Sequence, residues 1–274
     1  MNVRGKVWVV SGAGSGMGRE LVLALLSRGA RVAGVDVRAE GLDETARLAA
    51  AGDRFSVHVV DITDVEGVAA LVDDVLAAHE VVDGLINNAG IIQPFVPVAE
   101  LSDAALHRVL DVNLVGTITM TRAFLPVLMG RPQAHLANVS SMGGFFPFPG
   151  QTMYGASKAA VKLFTEGLYA EMIGSPLQVS VIMPGAVATS ISENSGVGAP
   201  GGEAAQSSRI PQTQPDVAAR IMIEGIEKNK LHIYVGNDAR LMSVAIKLAP
   251  RRAIHVVQKQ MSKMLALSEP ATRQ

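Results

Sequence analysis

Residues 7–18 read VWVVSGAGSGMG, four apolar residues and a serine followed by glycines at every second position. The apolar run predicts a buried β-strand, and the helical pattern after Gly18 predicts that the glycines turn the chain into a helix. Glycine lets a backbone lie against a pyrophosphate, and the free N–H groups of a helix N-terminus favour such an anion. A glycine run alone is also typical of an ordinary tight turn. Its place between a strand and a helix favours a phosphate-binding turn.

Outward from this stretch, short runs of β-branched residues alternate with longer helical patterns. Most runs lack period-2 alternation, which indicates strands buried on both faces. Alternating strands and helices favour right-handed crossovers and therefore one parallel sheet of about seven strands. The predicted strands are Val7–Val10, Arg31–Asp36, Phe55–Val60, Gly84–Asn87, Ala134–Ser140, Leu177–Met183 and Leu231–Val235, and predicted helices include Gly18–Arg28, Val65–His79, Ala104–Met129 and Thr152–Met172.

The chain has 274 residues, which is long for one α/β domain and short for two. We therefore predict one catalytic domain over residues 1–236 and a basic helical tail over residues 237–274. Residues 186–215 are rich in Gly, Ser, Pro and Gln, and we predict a flexible substrate loop there. A disordered insertion is the alternative for this segment.

The composition excludes several classes of function. Cysteine is absent, so disulfides, thiolate nucleophiles and cysteine-ligated metals are excluded. The six histidines are scattered without ligand spacing, and we predict no metal site. A net charge of −1 gives the whole chain no electrostatic reason to bind nucleic acid. We recognise no secretory signal and no apolar run of bilayer length, and expect a cytoplasmic protein.

The C-terminal region is basic, since residues 240–274 hold seven Lys or Arg and one acid. On a helical wheel Arg252, Lys259 and Lys263 share one face, and the opposite face is apolar. The apolar face comprises Ile254, Val257, Met261, Met264 and Leu265. Two interpretations stay open. We favour packing on the protein or a partner subunit over weak contact with an anionic membrane surface, which would make the protein membrane-peripheral.

Asp36 closes the second predicted strand, eighteen residues beyond Gly18. A carboxylate at that place can accept hydrogen bonds from both hydroxyls of an adenosine ribose, and it would repel a 2′-phosphate. Arg38 is the kind of residue that favours a 2′-phosphate, whereas Ser15 in the glycine run is neutral. We therefore predict NAD as the cofactor in preference to NADP. The alternative is that Asp36 merely begins a turn.

Tyr154 and Lys158 lie four residues apart at the start of a predicted helix, so they share one helix face. A free phenol titrates near pH ~10, and a nearby ammonium favours its ionised form. Ser141 precedes Tyr154 by thirteen residues, at the end of a strand, where its hydroxyl could hold a substrate oxygen. Ser140 is the competing candidate for that role. A chance pair of exposed side chains is the alternative for Tyr154 and Lys158.

In this order and spacing, the motifs resemble the short-chain dehydrogenase/reductase family over roughly residues 5–235. Ser11 stands where the family has threonine before its glycines, a change that keeps the hydroxyl. The resemblance implies a single Rossmann-type, doubly wound parallel sheet. The matching positions are Gly12, Gly16, Gly18, Asp61, Asn87-Asn88-Ala89-Gly90, Asn113, Ser141, Tyr154, Lys158, Pro184-Gly185 and Thr189.

The resemblance also implies the chemistry of the site. Tyr154 would be the general acid/base, and Lys158 would lower the phenol pKa and hold the nicotinamide ribose. Ser141 would orient the substrate, and Asn113 would bind a water that relays the proton. A homodimer or homotetramer is expected as well. The implied cofactor contacts are Gly12, Ser15, Gly16, Met17, Gly18, Asp36, Asp61, Asn88, Ala89, Gly90, Tyr154, Lys158, Pro184, Gly185, Val187 and Thr189.

The loop between Ser141 and Tyr154 contains three phenylalanines, and in the family it lines the substrate pocket. Met142, Phe146 and Phe148 are our substrate-contact candidates, and Gln93-Pro94-Phe95 is a weaker set. We expect an apolar secondary alcohol or ketone as the small-molecule substrate. Packing of these rings under the sheet or at a subunit contact is the alternative.

The leading functional hypothesis is thus an oxidoreductase that interconverts an alcohol and a ketone with NAD. The alternative, from another class, is a non-catalytic nicotinamide-binding sensor or scaffold. A pure binder needs no proton relay, so the set Asn113, Ser141, Tyr154 and Lys158 favours the enzyme.

Overall fold

The computed structural model describes residues 1–197 and 212–266, and for residue 260 and residues 262–266 it describes the backbone only. Seven parallel strands form one sheet in the order β3-β2-β1-β4-β5-β6-β7. The strands are β1 Val7–Ser11, β2 Arg31–Asp36, β3 Phe55–Val59, β4 Gly84–Asn87, β5 Ala134–Val139, β6 Leu177–Pro184 and β7 His232–Val235. All seven predicted strands are confirmed, as is the doubly wound α/β fold.

Helices cover both faces of this sheet. They are α1 Gly16–Ser27, α2 Ala39–Ala49, α3 Val65–His79, α4 Asp103–Leu110, α5 Thr117–Met129, α6 Thr152–Glu171, α7 Ile191–Asn194, α8 Pro215–Glu227, α9 Asn237–Leu248 and α10 Pro250–Ala266. One core contains residues of α1 and α8, and the other contains residues of α3, α5 and α6. Within β1, Trp8 and Val10 face the first core and Val9 faces the second, which explains why this strand is apolar throughout.

The sequence patterns missed several helical features. Neither α2 nor α8 was among the predicted helices, and α7 lies inside the predicted loop. The predicted helix Ala104–Met129 contains a π-helical segment, Asp111–Gly116, between α4 and α5. Within residues 186–215, Val187 pairs with Thr213 in an isolated bridge, so both ends of that segment are held together. Residues 198–211 of the predicted flexible loop lie outside the described residues.

The helical run Asp103–Met129 is long and apolar enough to cross a membrane by length and composition alone. Its side chains nevertheless enter the second core, where Met120, Phe124 and Leu128 are fully buried. The run packs on α3 and α6. It is therefore a core helix of the fold, and its π-helical segment carries Asn113.

The C-terminal tail forms α9 and α10, and α10 begins at Pro250. The buried face of α9 includes Ala239 and Ser243, whereas Leu241, Val244 and Leu248 are 63%, 53% and 80% exposed. In α10, Val257 is buried and Ile254 is exposed. The side chains of Met264 and Leu265 lie outside the described residues. The described part of the predicted apolar face is therefore only partly covered.

Candidate active site

A cleft of about 340 Å³ opens at the carboxyl ends of the strands, where parallel α/β sheets bind ligands. Its walls come from the glycine-rich turn after β1, the end of β2, the turns after β3 and β4, and the segment after β6. Ten predicted cofactor residues line it, namely Gly12, Ser15, Gly16, Met17, Asp36, Asp61, Asn88, Ala89, Gly90 and Thr189.

The glycines of the first turn are required by backbone geometry. Gly12 and Gly16 have φ values of 71° and 51°, in the left-handed region that other residues adopt only with strain. A Cβ atom on Gly12 would lie 2.9 Å from Asn88 Nδ2. A Cβ atom on Gly18 would collide with the Gly12 carbonyl, so Gly18 lets α1 pack tightly against the turn rather than lining the cleft.

Asp36 is buried at the end of β2, and both of its carboxylate oxygens accept backbone hydrogen bonds. Oδ2 accepts from the Gly14 N–H at 2.9 Å, and Oδ1 accepts from the Arg38 N–H at 3.0 Å. Asp36 therefore fixes the glycine-rich turn and presents its negative charge to the cleft.

Arg38 reaches across the edge of the same cleft. Its guanidinium donates to Ser15 Oγ at 3.0 Å and to Asn194 Oδ1 at 2.7 Å, while Asn194 Nδ2 donates to Ser15 Oγ at 3.0 Å. Asn194 belongs to α7, so this cluster ties the segment after β6 to the glycine-rich turn.

Half of the residues that line the cleft were not among the predicted cofactor contacts. Asn194 lies 156 residues from Arg38, and no local pattern indicates their contact. The apolar members lie at the ends of strands, in the turns after them or on helices, and periodicity alone does not show which of them face the cleft. The lining residues outside the predicted cofactor set are Val35, Val37, Arg38, Val60, Ile62, Ile91, Arg108, Val112, Ile191 and Asn194, and of these the sequence analysis singled out only Arg38.

Ser141 and Tyr154 meet beside the loop that follows β5. The Ser141 hydroxyl forms a hydrogen bond with the Tyr154 phenol and also accepts from the Gly143 N–H at 3.0 Å. A Cβ atom on Gly143 would lie 3.3 Å from Tyr154 Cε1, so the loop backbone lies close to the ring. Ser140 instead donates to the Lys158 carbonyl at 2.7 Å. The hydroxyl that faces Tyr154 is therefore that of Ser141, as the spacing favours.

Lys158 is 4% exposed, and its Nζ donates to the Val139 carbonyl at 3.1 Å. A Cβ atom on Gly90 would lie 2.9 Å from this Nζ and 3.1 Å from Asn113 Oδ1, so the ammonium lies directly behind the cleft wall. Burial lowers the pKa of Lys158 to about 8.

The phenol of Tyr154 does not follow the expectation of a lowered pKa. Burial raises its pKa above the usual value, and the hydrogen bond with Ser141 offsets only part of that effect. In the chain without cofactor or substrate, Lys158 does not lower the pKa of the Tyr154 phenol as the sequence led us to expect. Desolvation is the larger effect, because protein atoms surround much of the ring, which is only partly exposed.

Asn113 is fully buried in the π-helical segment, and protein groups occupy both atoms of its amide. Oδ1 accepts from the Ile91 N–H at 2.8 Å, and Nδ2 donates to the Ile91 carbonyl at 2.9 Å and to Ser157 Oγ at 3.0 Å. Its own carbonyl accepts from Thr117 Oγ1 at 2.8 Å. In this arrangement the side chain holds residue 91 against α6.

The segment after β6 does not line the cleft at every predicted position. Pro184 ends β6, and Ala186 N–H donates to Asp238 Oδ2 at 2.8 Å, which anchors the chain there to the start of α9. Asp238 is a contributor that the sequence did not indicate. The predicted cofactor residues outside the cleft lining are Gly18, Tyr154, Lys158, Pro184, Gly185 and Val187.

The predicted substrate residues differ in exposure. Phe146 is 1% exposed, and its ring centroid lies 5.8 Å from that of Phe148, so it packs inside the protein as the alternative interpretation held. Met142 and Phe148 are partly exposed. Gln93 is 0% exposed and contributes no open surface to a substrate pocket.

The fold and these motifs match a known family. Residues 6–198, well over half of the chain, match the family model described as short chain dehydrogenase. The chain belongs to the short-chain dehydrogenase family. This confirms the resemblance read from the motifs.

Individual family members match along most of their length. The chain is 35% identical over 254 residues to SadH of Mycobacterium tuberculosis, which is named as an oxidoreductase, covering 89% of this chain and 91% of that one. A short-chain dehydrogenase of Burkholderia phymatum solved with NAD has a TM-score of 0.81 at 28% identity, over 90% of this chain and 96% of that one. One from Burkholderia cenocepacia solved with NADP has a TM-score of 0.78 at 29% identity, over 98% and 100% of the two chains.

Proposed function

We propose that this short-chain dehydrogenase interconverts a secondary alcohol and a ketone with NAD, and that Tyr154 is the general acid/base. The observation that carries the proposal is the hydrogen bond between Ser141 and Tyr154. Tyr154 lies on the same helix as a buried lysine that backs the wall of a glycine-lined cleft. The intact set gives no reason to prefer the non-catalytic alternative.

The residues present fit a nicotinamide dinucleotide. The glycine turn presents bare backbone to the cleft, and the carboxylate of Asp36 lies where an adenosine ribose would be held. Among the described residues, Asn88 Oδ1 is buried without a hydrogen-bond partner, at the cleft wall, and a ligand hydroxyl would satisfy it. When bound, the nicotinamide would supply the acceptor or donor of the hydride.

The chain itself supplies the proton chemistry. In oxidation Tyr154 takes the hydroxyl proton from the substrate, and in reduction it returns a proton to the carbonyl oxygen. Ser141 holds that same oxygen, because its hydroxyl already lies within hydrogen-bond reach of the phenol. Lys158 would favour the phenolate through its positive charge when the cofactor and substrate are bound, although it does not lower the pKa of Tyr154 in the chain alone. Asn113 supports this arrangement, and its predicted role as the site of a relaying water stays a prediction.

NAD is favoured over NADP by the charge of Asp36. A carboxylate that already accepts from the Gly14 and Arg38 N–H groups is held rigidly, so it cannot turn away from a 2′-phosphate. Arg38 pairs with the same carboxylate at 3.8 Å and is also hydrogen-bonded to Asn194. Its charge is therefore partly neutralised and less available to a phosphate.

The loop after Ser141 supports an apolar substrate. Met142 and Phe148 are partly exposed there, and Phe145 packs edge-on against Tyr234 at 6.0 Å. Such a wall favours an apolar alcohol or ketone over a sugar.

Exposed apolar residues on α6 and just beyond its end support an assembly. Leu163 on α6 is 70% exposed, and Ile173, two residues after the helix ends, is 72% exposed, which supports a homodimer or homotetramer in solution. A cytoplasmic location belongs to the same proposal, and weak membrane contact through the tail stays the alternative to packing on the protein or a partner subunit.

The experiment is a reduction screen of apolar ketones with NADH and NADPH, followed by the reverse reaction on any hit. We expect turnover with NADH to exceed turnover with NADPH. In Asp36→Asn, which keeps an acceptor for the Gly14 N–H, the NADH-to-NADPH ratio of kcat/KM should fall on the order of ten-fold. Adding Arg38→Gln to the Asp36→Asn variant should abolish the increase in kcat/KM for NADPH that Asp36→Asn produces. A ratio unmoved by Asp36→Asn would contradict the assignment of NAD, and absence of turnover with both cofactors across the screen would contradict the enzymatic proposal.

A further inference from the structure

The helix that carries Tyr154 begins without a local cap. The first N–H groups of an α-helix have no partner within the helix, and Ser, Thr, Asp or Asn at the N-cap usually satisfies one of them. In α6 the N-cap residue is Gln151, and its side chain makes no capping hydrogen bond. Tyr154 is the third helical residue, so its position depends directly on how the first turn is held.

Gln93 supplies the missing acceptor from the loop after β4. Its Oε1 accepts from the Met153 N–H at 2.8 Å and from the Tyr154 N–H at 3.0 Å. Its Nε2 donates to the Gly150 carbonyl at 3.0 Å, on the turn where Gly150 adopts a φ of 80°. One fully buried side chain thus holds both the first turn of α6 and the loop that enters it.

The backbone of the same loop is fixed from two sides. Gln151 Nε2 donates to the Gln93 carbonyl at 2.8 Å. Two residues earlier, Asn113 holds both the N–H and the carbonyl of Ile91. Residues 91–93 therefore form a strap that joins the π-helical segment to the start of α6.

We propose that Gln93 is a positioning residue, which caps α6 and thereby sets the distance between the Tyr154 phenol and Ser141. The inference rests on the proposed role of Tyr154. Gln93 touches no reacting atom. It acts through the backbone N–H of Tyr154, and the side chain of that residue leaves the helix directly beside this hydrogen bond.

Two substitutions distinguish a capping role of the Gln93 side chain from a role in which it only fills space. Gln93→Met keeps an unbranched side chain of similar length and removes both the acceptor and the donor. Gln93→Glu keeps the acceptor for the two N–H groups, loses the donor to Gly150, and adds a negative charge near the phenol. The matched control is Thr165→Val, which deletes two buried hydrogen bonds, with Asn138 and Val161, from the same helix further along.

For Gln93→Met we expect kcat to fall on the order of ten-fold to a hundred-fold, because small misplacements of a reacting group are costly. The affinity for NADH should be unchanged, since Gln93 does not line the cleft. Gln93→Glu should keep a larger part of the wild-type kcat than Gln93→Met does. The pH dependence of its kcat should move to higher pH, because a negative charge raises the pKa of the nearby Tyr154 phenol. Thr165→Val should lower the melting temperature without lowering kcat.

Backbone amide exchange gives a readout independent of activity. The amides of Met153 and Tyr154 should exchange faster in Gln93→Met and keep their protection in Gln93→Glu and Thr165→Val. Unchanged exchange in Gln93→Met, or a loss of kcat no larger than that of Thr165→Val, would overturn the inference. If the wild-type protein shows no turnover, the proposed function fails, while the exchange measurement still tests the cap. If Gln93→Met does not fold, faster exchange of the Met153 and Tyr154 amides in Gln93→Glu, which keeps the acceptor, would count against the inference.

Discussion

Lys158 keeps an ammonium in a place that disfavours charge. Its side chain is almost fully buried, and burial lowers its pKa from 10.5 to about 8. Such a difference corresponds to roughly 3 kcal/mol that opposes folding at neutral pH. A lysine that merely served packing would be replaced by an apolar side chain without loss, so its presence here favours a chemical role.

Lys158→Met should therefore abolish turnover and stabilise the protein at pH 7. The unfolded chain binds this proton more tightly than the folded chain, so the penalty is full below about pH 8 and disappears as pH rises toward 10.5. Loss of the hydrogen bond to Val139 offsets part of the gain, and we expect a net increase of about 1 to 2 kcal/mol in the free energy of unfolding.

Denaturant unfolding at pH 7 and pH 10 measures this effect. The gain from Lys158→Met should shrink at the higher pH. Lys162→Met is the control, because Lys162 lies on the same helix in a partly exposed ion pair with Glu166. It should change stability little at either pH. A Lys158→Met protein that is less stable than wild type at pH 7 would contradict this account of the buried charge.

Among the elements, strands were predictable and some helices were not. A strand buried on both faces is commonly a short apolar run, as in β1, and such runs are visible in any sequence. The π-helical segment Asp111–Gly116 was not predicted, because one extra residue per turn leaves the apolar pattern of the surrounding helices almost unchanged. The short α7 is held by Asn194 and Ser195 through distant partners, Arg38 and Ile92, rather than by its own pattern.

The exposed face of α9 gives a prediction at the scale of elements. Leu241, Val244 and Leu248 fall on one side of this helix, opposite the buried Ala239 and Ser243. We expect a second copy of the chain to cover this stripe, because burying each leucine would contribute roughly 1.5 to 3 kcal/mol.

The double variant Leu241→Glu/Leu248→Glu should consequently lower the solution mass, measured by light scattering at several concentrations. Val65→Glu is the control, since Val65 is 65% exposed on α3, away from the tail. An unchanged mass together with weaker sedimentation on anionic vesicles would favour the membrane interpretation of the tail instead.

At the scale of the whole molecule, the sheet explains why much of the site could be predicted. The carboxyl ends of parallel strands meet at one edge, so Gly12, Asp36 and Gly90 converge although they are far apart in sequence. What could not be predicted depends on contacts between loops. Gln93 was predicted as a weak pocket residue, but its amide is buried against a helix start about sixty residues away, which only the folded chain brings near.

The pKa of Tyr154 also depends on the fold of the whole molecule. The spacing of Tyr154 and Lys158 predicts their shared helix face, but not that the fold buries the lysine almost fully and leaves the tyrosine only partly exposed. Burial raises the phenol pKa and lowers the ammonium pKa, opposite to what the isolated pair would show. A property set by depth in the core cannot be read from a four-residue spacing.

The account depends on proton exchange between the Tyr154 phenol and the substrate oxygen, and Tyr154→Phe tests this most directly. With a ketone that the wild-type protein reduces, kcat should fall at least 100-fold, as expected for loss of a general acid, while NADH binding measured by fluorescence titration stays at the wild-type affinity. A Tyr154→Phe protein that binds NADH and turns over at a rate close to that of wild type would contradict the central claim.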